Sequence, residues 1–288
     1  VGAPVAERYG SQWLAEPQTE GVDAIVIASP TQFHFDQAVH TISEGIPLLL
    51  EKPLADNYSE ASAIVDAAEA GGVPLMCGLL ERFNPAVRTA LEIAKEPLHV
   101  ATMRHGPYAN RIRTGVASDL LIHDVDLVLR LFNEQPVAVS GHYGYFEPRS
   151  GASSEDVAEC TLRFPNGQIA ALSVSRIAQQ KVRTLTISEL GRVIEVDLLR
   201  QLITVYRHVQ GAGFDEAAGY SQQTIIDIPV VRYPGEPLQL EQPGAIEPRS
   251  RGVSIMIRGE WASTASRDRC CPGTATGAPG TAGAPGCA

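Results

Sequence analysis

The residues best suited to chemistry are a lysine at the end of one apolar segment and an aspartate and a histidine on a later one. Lys52 ends the run IPLLLEKP, where an ammonium without a partner is costly to bury. A lysine held in a cleft can donate to a substrate oxygen and stabilise an alkoxide. On spacing alone, a surface lysine in a loop is an equally good interpretation.

Asp119, His123 and Asp126 lie in residues 118–132, which are predicted to form an amphipathic helix. Spacings of four and three place them on one helix face. His123 suits proton transfer near neutral pH, and Asp119 can orient it or bind the substrate. A hydrogen-bonded structural histidine is the alternative. A metal site is not expected, because no third imidazole or thiol has matching spacing.

Further polar residues follow other apolar runs. Ser29, Pro30 and Thr31 end the first run, with His34 three residues later; this segment either meets a phosphate at a helix N-terminus or is an ordinary helix cap. Arg82 follows the third run and can bind an anion or form an ion pair at a helix start.

A basic and aromatic stretch precedes the predicted Asp119 helix. Its residues Arg104, Tyr108, Arg111 and Arg113 can contact a phosphate or carboxylate of a substrate. A solvated loop is an equally good interpretation of this stretch.

The first part of the chain alternates strand and helix patterns. Continuous apolar runs predict buried strands, and each helix pattern between them ends at glycine: strands at 22–30, 46–53 and 73–78, helices at 33–44 and 59–70. This order implies βαβ units and a parallel sheet, in which ligands bind at the carboxyl ends of the strands.

From residue 81 the rhythm changes to helices at 85–95 and 118–132 and a strand at 98–104. After residue 137 strand patterns follow one another without helices: VAVSGHYGYF, DVAECTLRF, QIAALSVSRI, VRTLTISEL and VIEVDLLRQLITVYR. The turn PNG at 165–167 predicts a hairpin. We therefore predict an incomplete Rossmann-type domain over 1–80, an α+β domain with a large, mostly antiparallel open sheet over 81–242, and a disordered or aberrant tail over 243–288.

Composition excludes several classes of protein. The 288 residues are 44% hydrophobic with a net charge of −10, which fits a folded protein and disfavours nucleic acid as a partner. No apolar run is long enough for a transmembrane helix, and the N-terminus lacks a signal-peptide layout, although starting at Val1 leaves open whether this is the natural start. Cys77 and Cys160 are expected to be free buried thiols in a reducing cytoplasm; the other three cysteines fall in the tail.

Four segments together resemble the Gfo/Idh/MocA family (glucose-fructose oxidoreductase, inositol dehydrogenase, rhizopine catabolism). They are VDAIVIASPTQFH, GIPLLLEKPLAD, ERFNPAV and DLLIHDVDL, in the family's order, within residues 3–242. The EKP element joined to the later D-x-x-x-H element is the specific part. The resemblance implies a Rossmann domain, an α+β domain with an open antiparallel sheet, and NAD or NADP as the cofactor for oxidation or reduction of sugar, sugar-nucleotide or cyclitol carbons.

The resemblance also implies roles for individual residues. Lys52, which precedes a proline that is typically cis, looks like the active-site lysine, Asp119 like the substrate-binding aspartate, and His123 like the acid/base. The implied cofactor set is Ser29, Pro30, Thr31, His34, Glu51, Lys52, Pro53 and Arg82, and the implied substrate set is Lys52, Arg104, Tyr108, Asp119 and His123. The run RHGPYANRIRTGV resembles the branch acting on nucleotide-linked amino sugars. A homodimer or homotetramer through the open sheet is also implied.

The sequence departs from the family pattern at both ends. No G-x-G-x-x-G follows a strand, so we expect the first βαβ unit and the residue that selects NAD over NADP to precede Val1, leaving an open sheet edge. After about Gln242 the pattern dissolves, and GVSIMIRG is a strand pattern without support around it. A non-catalytic sugar-phosphate or sugar-nucleotide binding fragment is therefore the alternative function.

Overall fold

The computed structural model describes residues 2–8, 11–14, 18–109, 114–151, 153–210, 222–232 and 253–256. These residues form two sheets, one parallel and one mixed. Among them, no helix is both long enough and apolar enough to cross a bilayer.

The first sheet is parallel, as predicted. Its strands are β1 (Ala24–Ile27), β2 (Leu48–Glu51) and β3 (Leu75–Gly78), and its helices are α1 (Gly2–Arg8), α2 (His34–Ser43) and α3 (Tyr58–Gly71). The Asn57 side chain caps α3, and Gly72 ends it at a φ of 61°. Apolar side chains of strands and helices form the core of this unit, which includes Ile25, Ile27, Ala38, Leu50 and Ile64.

A fourth strand extends this sheet on the far side of β1. It is β12 (Val253–Met256), which pairs parallel to β1 to give the order β12-β1-β2-β3. The expectation of a disordered or aberrant tail over 243–288 is therefore wrong for this segment, where GVSIMIRG was noted as a strand pattern without support, and β1 is not an open edge. The physical reason is that unpaired strand N–H and C=O groups pair readily with an extended segment rich in β-branched and apolar residues. The rest of that predicted tail lies outside the described residues.

The second sheet has eight strands in the order β11-β10-β9-β8-β4-β7-β6-β5. All neighbours are antiparallel except β4 and β7, which confirms the predicted mostly antiparallel sheet. The strands are β4 (His99–His105), β5 (Ala138–Gly144), β6 (Val157–Arg163), β7 (Ile169–Ser175), β8 (Val182–Glu189), β9 (Arg192–Asp197), β10 (Leu202–Gln210) and β11 (Gln222–Asp227).

Turn residues set the connections in this sheet. Gly167, at a φ of 82°, closes the predicted β6–β7 hairpin. The run predicted as one long strand signal from residue 193 is instead a hairpin of β9 and β10. Asp197 causes the break, because its carboxylate accepts hydrogen bonds from the amides of Leu199 and Arg200, and Gln201 follows at a φ of 55°.

Two helices cover one face of the large sheet. They are α4 (Pro85–Ile93) and α5 (Ile122–Phe132), and α5 is preceded by a π-helical turn over Ala117–Leu121 instead of continuing one regular helix as predicted. Phe132 of α5 stacks on Phe164, with ring centroids 4.6 Å apart. Cys77 and Cys160 are thiols that are only half-buried, so the expectation of buried thiols is wrong.

The Phe132–Phe164 contact yields a stability prediction. Phe164 is fully buried, so Phe164→Ala removes a large apolar side chain and leaves a cavity beneath α5. We expect the free energy of unfolding to fall by about 3–5 kcal/mol, measured by urea unfolding followed by circular dichroism. Phe146, which is 65% exposed, is the matched control, and its change to Ala is expected to cost far less. Equal losses for the two variants would contradict the packing described.

Candidate active site

Lys52 and Asp119 meet at the junction of the two units. Lys52 follows β2 in a cis peptide bond to Pro53, and its Nζ donates to Asp119 Oδ1 at 2.6 Å and to the Asp119 carbonyl at 2.8 Å. The two side chains are 17% and 21% exposed, so water screens the pair only partly. An ammonium has three N–H donors, and two are used here, so one remains for a ligand.

Glu155 holds the π-helical turn that carries Asp119. Its carboxylate accepts from the Ala117 amide at 2.7 Å, and its carbonyl accepts from Val116 at 3.1 Å. Gly115 leaves room for this contact, because a Cβ there would lie 1.9 Å from the Glu155 carboxylate. Sequence reasoning missed Glu155, since no local pattern links it to residues nearly forty positions earlier.

A buried ion pair supports the segment next to Glu155. Arg176 Nε donates to Asp156 Oδ1 at 2.8 Å, and Arg176 Nη1 donates to the Thr114 carbonyl. Burial alone would raise the pKa of Asp156, but hydrogen bonds from the amides of Glu147 and Phe146, from Ser150 and from Arg176 hold it well below its usual range. Arg176, directly after β7, therefore ties the end of that strand to Asp156, next to Glu155, and to Thr114, just before the π-helical turn.

His123 is buried one turn beyond Asp119 and is 6% exposed. Its Nδ1 has no hydrogen-bond partner among the described residues, which is unusual for a buried polar atom. Burial, together with the positive charges of Arg104, Lys52 and Arg183, lowers the pKa of His123 to about 2. The ring is therefore neutral and can accept a proton.

Arg104 does not face an open site, which corrects the expectation that it binds substrate. It is 3% exposed, and it donates to Asp124 through Nε and Nη2 and to Glu81 Oε1 at 2.8 Å. Burial raises the pKa of Asp124, and Glu81 adds to this although Arg104 opposes it. Sequence reasoning missed Glu81 and Asp124, because an arginine before a polar helix fits a solvated loop equally well.

The predicted polar face of the helix divides among different partners. Asp119 binds Lys52, and Asp126 forms a two-bond contact with Arg82, with N–O distances of 2.6 and 2.9 Å. Arg82 thus has a carboxylate within the protein, as the ion-pair interpretation of that residue requires.

The loop after β1 is held by internal hydrogen bonds. Ser29 donates to Gln37 at 2.6 Å, and both are buried. His34 is buried with its ring nitrogens 2.9 Å from the Pro53 and Ser29 carbonyls, so it joins the carboxyl ends of β1 and β2. Thr31 is half-buried in a short 3-10 turn.

Glu51 and Tyr108 complete the predicted set. The Glu51 carboxylate accepts from the Lys52 amide at 3.3 Å, and a Cβ at Gly78 would come within 2.8 Å of it. The Tyr108 ring lies under the guanidinium of Arg149, 4.4 Å from the ring centroid, and its hydroxyl donates to the Arg149 carbonyl. Arg111 and Arg113 lie outside the described residues.

The structure thus brings Lys52, Asp119 and His123 to one place, beside the carboxyl ends of the parallel strands. Across the described ranges, no group of three or more His, Cys, Asp or Glu side chains is placed to hold a metal ion.

Family models match both units in order along the chain. Residues 4–79 match the oxidoreductase family with an NAD-binding Rossmann fold, and residues 97–193 match the GFO/IDH/MocA C-terminal domain.

Individual relatives agree with these matches. UDP-N-acetylglucosamine 3-dehydrogenase of Acidithiobacillus ferrooxidans is 30% identical over 67% of this chain, and the chain spans 60% of that relative's length. The scyllo-inositol 2-dehydrogenase (NAD(+)) of Bacillus subtilis is 26% identical over 73% of this chain and 67% of its own.

Solved structures share the fold. A crystal form of the Acidithiobacillus ferrooxidans enzyme superposes with a TM-score of 0.72 and 25% identity, over 84% of this chain and 76% of that one. Levoglucosan dehydrogenase in complex with NADH superposes with a TM-score of 0.63 and 20% identity, over 78% of this chain and 68% of that one, which shows the fold alone. With both domains matched in sequence and in fold, this chain belongs to the Gfo/Idh/MocA family of oxidoreductases.

Proposed function

We propose that the protein is an NAD(P)-dependent oxidoreductase that transfers a hydride between nicotinamide and a hydroxyl-bearing carbon of a sugar, sugar nucleotide or cyclitol. The observation that carries this proposal is the Lys52–Asp119 contact beside the buried, neutral His123. The relatives' names supply the substrate classes, namely a UDP-linked amino sugar and inositols.

The residues present fit the nicotinamide end of such a cofactor. The carboxyl ends of β1 and β2 lie at one edge, where open parallel sheets bind ligands, and the His34 bridge fixes the two loops that follow. There we assign cofactor contacts to Ser29, Pro30, Thr31, Glu51, Pro53 and, from the next strand end, Arg82, with His34 as their support. No pyrophosphate contact is assigned, since this sequence holds no G-x-G-x-x-G. When bound, NAD(P) supplies the hydride acceptor or donor.

Lys52 polarises the substrate oxygen. Two of its N–H donors are fixed by Asp119, which aims the third. A positive donor at this position stabilises negative charge that develops on the oxygen. Asp119 therefore positions Lys52, and its second carboxylate oxygen can accept from a substrate hydroxyl. Tyr108 is assigned as a substrate contact because it lies in the segment that precedes the π-helical turn.

His123 accepts the hydroxyl proton during oxidation. Its lowered pKa makes it a weak base in the free protein, but this does not prevent the step. Lys52 stabilises negative charge on the oxygen, so the hydroxyl gives up its proton more readily to the neutral imidazole beside it. An imidazole held neutral is in the form that accepts this proton. In the reduction direction the ring must first take up a proton, which it then gives to the oxygen.

We further propose that the protein is a cytoplasmic homodimer or homotetramer joined through the open face of the large sheet. That face carries a concavity lined by small and polar residues, including Ala101, Ser140, Thr161 and Ala171. Cys77 and Cys160 form no disulfide among the described residues, which supports a reducing compartment.

Replacing Lys52 tests the proposed mechanism. Lys52→Met removes the donor but keeps the length of the side chain, so we expect kcat/KM to fall by about 10²–10³-fold. The reaction is followed by NADH absorbance with UDP-N-acetylglucosamine and scyllo-inositol as substrates. Lys95→Met, at an exposed position, is the control and is expected to leave the rate unchanged.

A fluorescence titration with NADH and NADPH accompanies this test. If the chain bound neither nucleotide yet retained sugar-nucleotide binding, the binding-fragment alternative would replace the oxidoreductase. Unchanged turnover in Lys52→Met would instead remove Lys52 from the site.

The neutral His123 predicts an acid-dependent stability. Because its folded pKa is about 2 and the unfolded value is about 6.5, the unfolded chain binds a proton between these pH values that the folded chain does not. This part of the stability is present above pH 6.5 and is lost as pH falls, by about 1.4 kcal/mol per unit. In urea unfolding between about pH 6 and pH 4, we expect the free energy of unfolding of His123→Gln to fall less steeply with decreasing pH. The difference in slope corresponds to one bound proton. Exposed His142→Gln is the control, and equal slopes for the two variants would show that His123 is protonated in the folded protein.

A further inference from the structure

The guanidinium of Arg183, on β8, has few hydrogen-bond acceptors around it among the described residues. Among the described residues, its side chain has one polar contact, from Nη1 to Glu81 Oε1 at 3.5 Å, which is the limit of a hydrogen bond. The side chain is only 30% exposed, so most of it is removed from water. A guanidinium has five N–H donors, and burying them without acceptors is costly.

The neighbouring cations are all better paired. Lys52, Arg82 and Arg104 each have a carboxylate oxygen within 2.8 Å. Arg104 also occupies the same Glu81 oxygen that Arg183 approaches, and at a shorter distance. Arg183 therefore shares its acceptor with Arg104, which binds the same oxygen at a shorter distance.

Arg183 is placed directly opposite Arg104 in the antiparallel pair of β4 and β8. Residues opposite each other share one face of a sheet, and like charges in this position are destabilising. Burial and the charge of Arg104 together lower the pKa of Arg183, although Glu81, Asp124 and Asp119 oppose this. The fold thus tolerates a repulsion that an added negative group would relieve.

Arg183 lies next to the candidate active site, to which a chain of side-chain contacts connects it. Its charge acts on His123, and the Asp119 carboxylate acts on it in turn. Glu81 links it through Arg104 to Asp124, which directly follows His123 in α5. An anion bound by Arg183 would therefore lie close to the candidate active site.

We propose that Arg183 binds an oxyanion of the substrate, a phosphate or a carboxylate of an acidic sugar, and so selects acidic sugars over neutral cyclitols. This inference rests on the proposed function, because it concerns the same site. A guanidinium pairs with either group through two parallel hydrogen bonds, so the structure defines the shared chemistry and the experiment separates the two sources.

Calorimetric titration of the purified chain tests the proposal with four probes: UDP-N-acetylglucosamine, UDP, glucuronate and scyllo-inositol. We expect Arg183→Gln to weaken binding of at least one anionic probe about 10- to 100-fold, the effect of losing charged hydrogen bonds, and to leave scyllo-inositol unchanged. Weaker binding of UDP would identify the phosphate as the group at Arg183, and weaker binding of glucuronate alone would identify the carboxylate. Arg183→Lys should retain part of the affinity. Arg200→Gln, at a position 78% exposed, controls for loss of one positive charge.

Thermal unfolding separates ligand binding from a structural role. Without ligand, Arg183→Gln should keep or raise the melting temperature, because it removes the repulsion with Arg104 at the loss of one long contact. Arg104→Gln should lower it strongly, because two buried carboxylates lose their partner. If Arg183→Gln lowered the melting temperature as Arg104→Gln does, Arg183 would be structural and the proposal would fail.

The outcomes also separate this proposal from the proposed function. Two results would overturn the role of Arg183 and leave the oxidoreductase intact. In the first, the chain turns over scyllo-inositol but binds no anionic probe. In the second, it turns over scyllo-inositol and Arg183→Gln binds the anionic probes as tightly as the unchanged chain does. Arg183-dependent binding of an anionic sugar without hydride transfer would do the reverse.

Discussion

The organisation of the site depends on one ion pair, between Lys52 after β2 and Asp119 in the π-helical turn. Removing both charges from water is costly, and the short contacts to two Asp119 oxygens offset that cost only if the two units hold still. The surrounding structure supplies that rigidity. The parallel sheet fixes Lys52, and Glu155 fixes the start of the turn that bears Asp119. An extra residue in a helix is tolerated where its loose carbonyls find other donors, and Lys52 is such a donor.

The pair also sets the electrostatics of its neighbour. His123 has cations on several sides and little water, so its neutral form is strongly favoured. The same cations that oppose an imidazolium favour negative charge on a substrate oxygen. A neutral proton acceptor beside a fixed positive donor is the arrangement that alcohol oxidation requires, because the oxygen keeps its electrons while its proton leaves. The buried carboxylates of Glu81 and Asp124 balance part of this positive charge, which lowers the free-energy cost of holding several cations together.

The parts of the structure that depend on residues close in sequence were predicted from the sequence pattern. The apolar runs and glycine stops predicted the parallel strands. Spacing placed Asp119 and His123 on one helix face, whereas the resemblance to the Gfo/Idh/MocA family implied that Lys52 joins them. Periodicity could not predict the partners, because Glu155 and Glu81 lie far in sequence from the residues that they hold. The strand pattern GVSIMIRG had no support around it in sequence for the same reason, since the edge that β12 pairs with is more than two hundred residues away.

Arg104 and Arg183 show how contacts, more than residue type, decide the role of a charge. Both are arginines on neighbouring strands of one sheet, and they stand opposite each other on the same face. Arg104 has its carboxylates at short distance and is almost fully buried, so nothing remains for a ligand. Arg183 has the same donors but, among the described residues, one long contact and a side chain that is 30% exposed. In a cluster of charged groups, a substrate gains binding energy from the group that has more hydrogen-bond donors than the protein has acceptors for it.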